Sequence, residues 1–291
     1  MAEEKKPKKE HKIVSASTGE AVKPGTRPAA KPGAAVQQTG NATGLRVGAV
    51  ILWLVAVVFE VLAIALFMEK LLVLPQIQPL YKAIAALVVD AICVIIGSTL
   101  WKKANHIDPA SQKNALKFWP WNNMGVLVSA VAFIPFIIIL LKDEKADKKT
   151  KAIGTAVAAV LMLICGLSSY DWNPLSQEAV AEANKGTGVY WTEHGKKFHL
   201  YEDCQALDRS ETLMTGRAQE AIDAGKGTIC KFCEKRYDKE LAAAEETQAL
   251  PEAAGELAGN EVPQTQALGS AMTARLRALP FPSAPGRRSG T

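Results

Sequence analysis

Four apolar runs dominate the chain, at about residues 46–67, 80–101, 121–141 and 152–169, with polar stretches between them. Roughly 20 helical residues cross the ~30 Å hydrocarbon core of a bilayer, so the pattern predicts four membrane-spanning helices. The last run is Ala-rich and sits at the short end of the spanning range. Trp101, Trp119, Trp121, Tyr170 and Trp172 fall at the edges of these runs, where aromatic rings prefer the headgroup layer, while Trp53 lies deeper. Between the second and third runs, Asp108 and Pro109 read as an N-cap and first helical position, opening a short surface helix through about Lys117.

The flanks have a different pattern. Residues 1–44 combine Lys, Pro, Gly, Ala and Ser/Thr with almost no large apolar side chains, which predicts a disordered basic tail. Residues 171–187 read as a linker and 188–240 as a small folded module. Residues 241–291 read as a largely disordered tail after a short helical extension. The 48% apolar content is therefore an average over unlike parts. The net charge of +5 is set largely by the first 46 residues, where nine Lys and Arg face four Glu. About forty polar residues precede the first apolar run, unlike the short basic start of a secretory signal, so that run is expected to stay in the membrane. The basic tail favours an orientation with the amino terminus and the module in the cytoplasm, although the lysines at 142–151 oppose it.

The module carries the one constellation with a specific chemistry. Val189–Thr192 and Lys196–Tyr201 are aromatic-rich runs around a Glu-His-Gly turn, which predicts a hairpin with His199 on its second strand. Ala218, Ala221 and Ile222 predict a helix over about 216–224, stopped by Gly225. His199, Cys204, Cys230 and Cys233 then offer four nitrogen and sulfur donors, with Cys230-x-x-Cys233 gripping one ion from a single knuckle. Zinc is the expected cofactor, and it would supply stability that a domain of this size lacks. Reduced thiols beside an ordinary histidine, or a Cys230/Cys233 redox pair, are the alternatives. No thioredoxin-like alternation of strands and helices supports the redox pair.

The string Tyr190-Trp191-Thr192, Gly195-Lys196, Phe198-His199, Cys204, Leu207, Ala221, Gly225, Cys230 and Cys233 resembles a small bacterial module similar to the metal-binding domain of the Ada DNA-repair methyltransferase. The resemblance covers about 45 residues. It implies a zinc-binding module appended to a larger protein. The Ada-type site uses four cysteines, one of them a methyl acceptor, whereas this sequence places His199 in the set; DNA methyl repair is therefore not expected. The run Leu100–Pro109 resembles bacterial multi-pass membrane proteins of a family with no assigned activity.

A second chemistry lies inside the apolar runs. Glu60 and Asp90 sit in the first and second, with no Lys, Arg or His in either interior to neutralise them. Such carboxyls are costly in hydrocarbon, so they either join helices as neutral acids or line a proton or cation path. In the module, basic residues such as Arg209, Arg217 and Arg236 are balanced by acidic ones, which argues for weak nucleic-acid binding at best.

The predicted fold class is thus mainly α: a four-helix transmembrane region plus a small α+β zinc-binding module and disordered termini. The expected function is an integral cell-membrane protein, of bacterial type, whose structural zinc module mediates recognition or assembly. Its partners are the lipid bilayer and a protein bound through the module. The alternative is a small proton- or cation-conducting protein using Glu60 and Asp90. No catalytic residue is assigned, because phosphate loops, nucleophile elbows and His-Glu-x-x-His strings are missing from the sequence.

Overall fold

The computed structural model describes residues 11–23, 40–71 and 73–257. Two short strands come first, β1 (Lys12–Ser15) and β2 (Ala21–Val22). The helix α1 (Ala42–Phe67) is opened by Asn41, whose side chain accepts the Gly44 amide at 2.8 Å. Next comes α2 (Pro79–Ile107), with proline at its start, where no amide is needed. A short α3 (Ala115–Asn122) precedes α4 (Met124–Lys142) and α5 (Lys148–Ser169). The helices α1, α2, α4 and α5 are each long and apolar enough to cross a membrane. The short fourth run becomes a 22-residue helix because it is extended by a lysine-rich first turn capped by Asp147.

The bundle is inverted relative to a water-soluble one. Its outer surface carries Leu54, Val58 and Leu163, each at least 60% exposed, so a continuous apolar surface faces outward. Its interior mixes alanines and large apolar side chains with a few buried polar groups. The buried residues of α1 include Ala49, Trp53, Ala56, Glu60, Ala63 and Phe67, at alternating spacings of four and three. Those of α2 include Leu80, Ala83, Leu87, Asp90, Val94, Gly97, Trp101 and Ala104, in the same rhythm. That rhythm keeps one seam facing a partner along a gently supercoiled pair, and α1 packs chiefly against α2. Gly97 lets the Trp53 ring approach, and Gly125 lets α4 reach Ser98 of α2 and Ser169 of α5.

The expected helix start at Asp108 is corrected. Asp108 instead closes α2, donating its amide to the Ala104 carbonyl at 2.9 Å, while α3 opens after Asn114. Proline drives the residue before it out of helical geometry, and a pair of this type ends a helix as readily as it begins one. Arg46 fixes the corner through a 2.7 Å bond to the Asp108 carboxylate.

The remaining chain folds around a second core. After α5 come α6 (Gln177–Lys185), β3 (Gly188–Trp191), β4 (Lys197–His199), β5 (Thr212–Arg217), α7 (Ala218–Asp223), β6 (Thr228–Ile229) and α8 (Lys231–Leu257). The predicted hairpin is β3–β4, antiparallel, with Tyr190 opposite His199. The six strands form one sheet in the order β2-β1-β5-β3-β4-β6. Trp191, Phe198, Leu207 and Leu213 lie in its core with less than 2% exposure.

Two stretches differ from the sequence expectation. Residues 171–187, read as a linker, contain α6, which is capped by Ser176 and ends at Gly186 in left-handed geometry; its Ala179 and Ala183 join the module core. Within the tail read as disordered, Ile13 is buried and β1 lies parallel to β5, with Ile13 opposite Leu213. The disorder expected for residues 1–10, 24–39 and 258–291 lies outside the described residues. By its contacts the chain divides into residues 1–240 and 241–291; of the second part, the helix end at Leu257 is described.

Candidate metal centre

The sheet brings the four predicted ligands together from four places. His199 ends β4, Cys204 sits in the turn that follows it, Cys230 follows β6, and Cys233 lies in the first turn of α8. β4 and β6 run parallel, with Phe198 beside Ile229, so the residues after each strand emerge side by side. The Cys230 amide donates to the Phe198 carbonyl at 2.9 Å, which locks the knuckle to the hairpin.

All four side chains are buried, and their ligand atoms lie within 4.8 Å of one another. The Cys204 and Cys230 sulfurs are 3.9 Å apart, and the Cys233 sulfur is 3.8 Å from His199 Nδ1. A tetrahedron with zinc–sulfur bonds of about 2.3 Å has edges of roughly 3.8 Å, so the cluster has the dimensions such an ion requires. Three thiols and one imidazole make four donors, the number a tetrahedral ion takes.

At this distance the thiols and the imidazole shift one another's hold on protons. The Cys230 thiol is held well below its ordinary value, first by Cys204 and Cys233, then by His199 and the Phe232 amide. Burial alone would lower the His199 imidazole, but hydrogen bonds and charge from Cys204 and Cys230 carry it up to about 9. Cys204 and Cys230, then burial, push the Cys233 thiol up, so a metal ion would displace protons that Cys233 and His199 otherwise hold. The cluster can hold a metal ion.

What surrounds this site carries no distinctive sequence pattern. Gln112, in the loop before α3, accepts the Ile229 amide at 2.9 Å and donates to the Ile229 carbonyl and to Glu234, each at 3.1 Å. Glu178 of α6 accepts from the Gln112 amide at 2.9 Å and from the Ser111 hydroxyl. The loop joining two membrane helices is therefore bonded directly to the residue before Cys230. A polar Ser-Gln pair between apolar runs was the only local signal, and it has no distinctive spacing.

Glu60 and Asp90 are also buried, 4% and 0% exposed, on facing seams of α1 and α2. One Glu60 oxygen and both Asp90 oxygens lack a hydrogen-bond partner. The bundle core they belong to includes Phe133, Phe136, Val94 and Cys165. Among the basic residues considered for nucleic acid, Arg217 is paired with Glu220, and Arg236 with Asp203 and Glu240.

Comparison with protein-family models, with curated proteins and with solved structures finds no match. The class of protein therefore rests on fold and site: a membrane protein with four spanning helices and a small α+β module that can hold a metal ion.

Proposed function

We propose that the bound metal is zinc and that its role is structural, fixing a recognition or assembly module onto the membrane bundle. One observation carries this reading: three cysteines and one histidine converge, buried, with ligand atoms within 4.8 Å of one another, enough donors to fill the shell of a tetrahedral ion. Catalytic zinc keeps an open position for water, whereas structural zinc is closed. Residue order around the ligands supports an affinity with the Ada-type metal modules. The histidine in place of a cysteine and the closed site argue against methyl transfer. A cytoplasmic setting in a cell membrane, as in bacterial proteins of this kind, suits thiolate ligands, which persist where disulfides are reduced.

The test is elemental mass spectrometry on the full-length protein in detergent. One zinc per chain is expected, lost in Cys230→Ser and in Cys233→Ser while the bundle keeps its helical signal. A folded protein without metal would overturn the assignment; iron or another ion would overturn the choice of zinc.

A second reading makes Glu60 and Asp90 a proton or cation site, favoured by their unpartnered carboxyl oxygens. It predicts flux through proteoliposomes that Glu60→Gln abolishes with zinc content unchanged. Equal flux in the two proteins would leave both acids as neutral seam residues.

A further inference from the structure

A cavity of about 250 Å³ opens where the module meets the ends of α4 and α5. Its position is set by the topology: Trp119 and Asn122 end α3, just before α4, and Trp172 follows the end of α5. The opening therefore lies at the level where spanning helices leave hydrocarbon and enter the headgroup layer. Lys196, Lys197 and Lys231 reach the same space from the module.

Three observations specify a ligand. First, other lysines nearby are engaged: Lys102 donates to the Ser168 carbonyl at 2.6 Å, and Lys113 to Asp238 at 3.3 Å. Among the described residues, no carboxylate lies within ion-pair distance of Lys196, Lys197 or Lys231; Lys196 rests only over the Trp172 ring, at 5.7 Å. Three unpaired ammonium groups around one cavity call for an anion. The one carboxylate in the lining, Asp171, is turned to His106 at 3.2 Å and to the Asn173 amide at 3.2 Å.

Second, Asn122 lines the cavity, is 1% exposed, and has an Oδ1 with no partner, its Nδ2 being committed to the Phe118 carbonyl at 2.9 Å. A buried amide oxygen without a partner costs free energy unless a donor reaches it. That oxygen is closed to water in this arrangement, so a ligand hydroxyl would satisfy it only after a small shift of the cavity wall. Third, the walls are aromatic and apolar beside the charge, and the volume falls below the ~300–1,000 Å³ of typical small-molecule pockets. A headgroup whose acyl chains remain in the bilayer needs no more.

We propose that this cavity binds the headgroup of an anionic phospholipid, its phosphate among Lys196, Lys197 and Lys231 and its hydroxyl at Asn122. Such a lipid links the module to the bundle through the membrane itself. The inference rests on the membrane reading and is independent of the metal.

The experiment uses full-length protein in detergent, titrated with phosphatidylglycerol or phosphatidylcholine and read by native mass spectrometry. Preferential retention of phosphatidylglycerol is expected. Each of Lys196→Gln, Lys197→Gln and Lys231→Gln should reduce that preference about five-fold, with helical content and zinc content as in the parent. These side chains are exposed or half-buried, so the variants should fold. Equal retention of the two lipids, or a preference unchanged in the triple variant that combines all three substitutions, would overturn the proposal. Glycerol 1-phosphate in solution provides a separate arm: if it binds and is lost in the triple variant while no lipid is preferred, the cavity takes a soluble phosphate ester and the lipid assignment fails. A chain that stays soluble without detergent would overturn both this proposal and the membrane reading.

Discussion

Gln112 acts as a one-residue strand. By pairing with both the amide and the carbonyl of Ile229, it does for the exposed edge of β6 what a neighbouring strand would do. The consequence is that Cys230, the next residue, takes its position partly from a loop of the membrane region. Gln112→Leu keeps the side chain's bulk but leaves two buried backbone groups unpaired. A loss of about 2–3 kcal/mol in the docking of module to bundle is expected. Gln112→Glu should do no better, since it sets a second carboxylate against Glu234, now 3.1 Å from Gln112 Nε2. Hydrogen exchange at the Ile229 amide measures the effect: it should accelerate in each variant before the bundle amides change. Unaltered exchange would show that the loop contributes nothing to the knuckle. At this scale the ligands themselves were readable, because cysteine and histidine announce their chemistry by type. Gln112 was not, since a glutamine in a loop acquires its role only from a partner 117 residues away.

Among the elements, the spanning helices and β1 stand at opposite extremes of legibility. A spanning helix satisfies all its backbone groups internally and needs only an apolar surface, so every piece of information that makes it lies within about 20 adjacent residues. The seam at Ala49, Trp53, Ala56 and Glu60 follows as a consequence of helical spacing. β1 has four residues, Lys-Ile-Val-Ser, inside a sequence otherwise too polar to fold, and its partner β5 begins 200 residues later. Nothing local distinguishes it from the tail around it. What holds it is Ile13, 1% exposed over the module core, together with the parallel ladder to β5 and the bond between His11 and the Ser210 carbonyl at 2.9 Å. Removing a buried Ile side chain to Ala costs about 2–5 kcal/mol. A four-residue strand with only the two-residue β2 beyond it has no reserve of that size, so Ile13→Ala should release β1 without unfolding the module. The check is exchange at the β5 amides, which should rise at the residues facing β1 while zinc content stays at the parent value. Protection equal to the parent's would mean that β1 does not hold the edge.

For the whole molecule, the pairing of β1 with β5 fixes the topology by an argument separate from hydropathy. Strands that share a sheet lie on one side of the membrane, and β1 precedes all the spanning helices while β5 follows them. The number of crossings between them must be even. Four helices satisfy this; three, the count if the Ala-rich α5 lay outside the bilayer, would not. The loop between α4 and α5 must then face the other side, with Lys142, Lys145 and the lysines that open α5. Single cysteines at Thr18, Lys145 and Lys239, all exposed, turn this into a measurement with a membrane-impermeant maleimide on sealed vesicles of known orientation. Thr18→Cys and Lys239→Cys should label together from the cytoplasmic face, and Lys145→Cys only from the opposite one. Labelling of Thr18→Cys and Lys145→Cys from one side would break the even count and with it the sheet. Labelling of the first pair from the outer face would keep the sheet but put the thiolate cluster in an oxidising compartment. A closed zinc site would then have to survive there by burial alone.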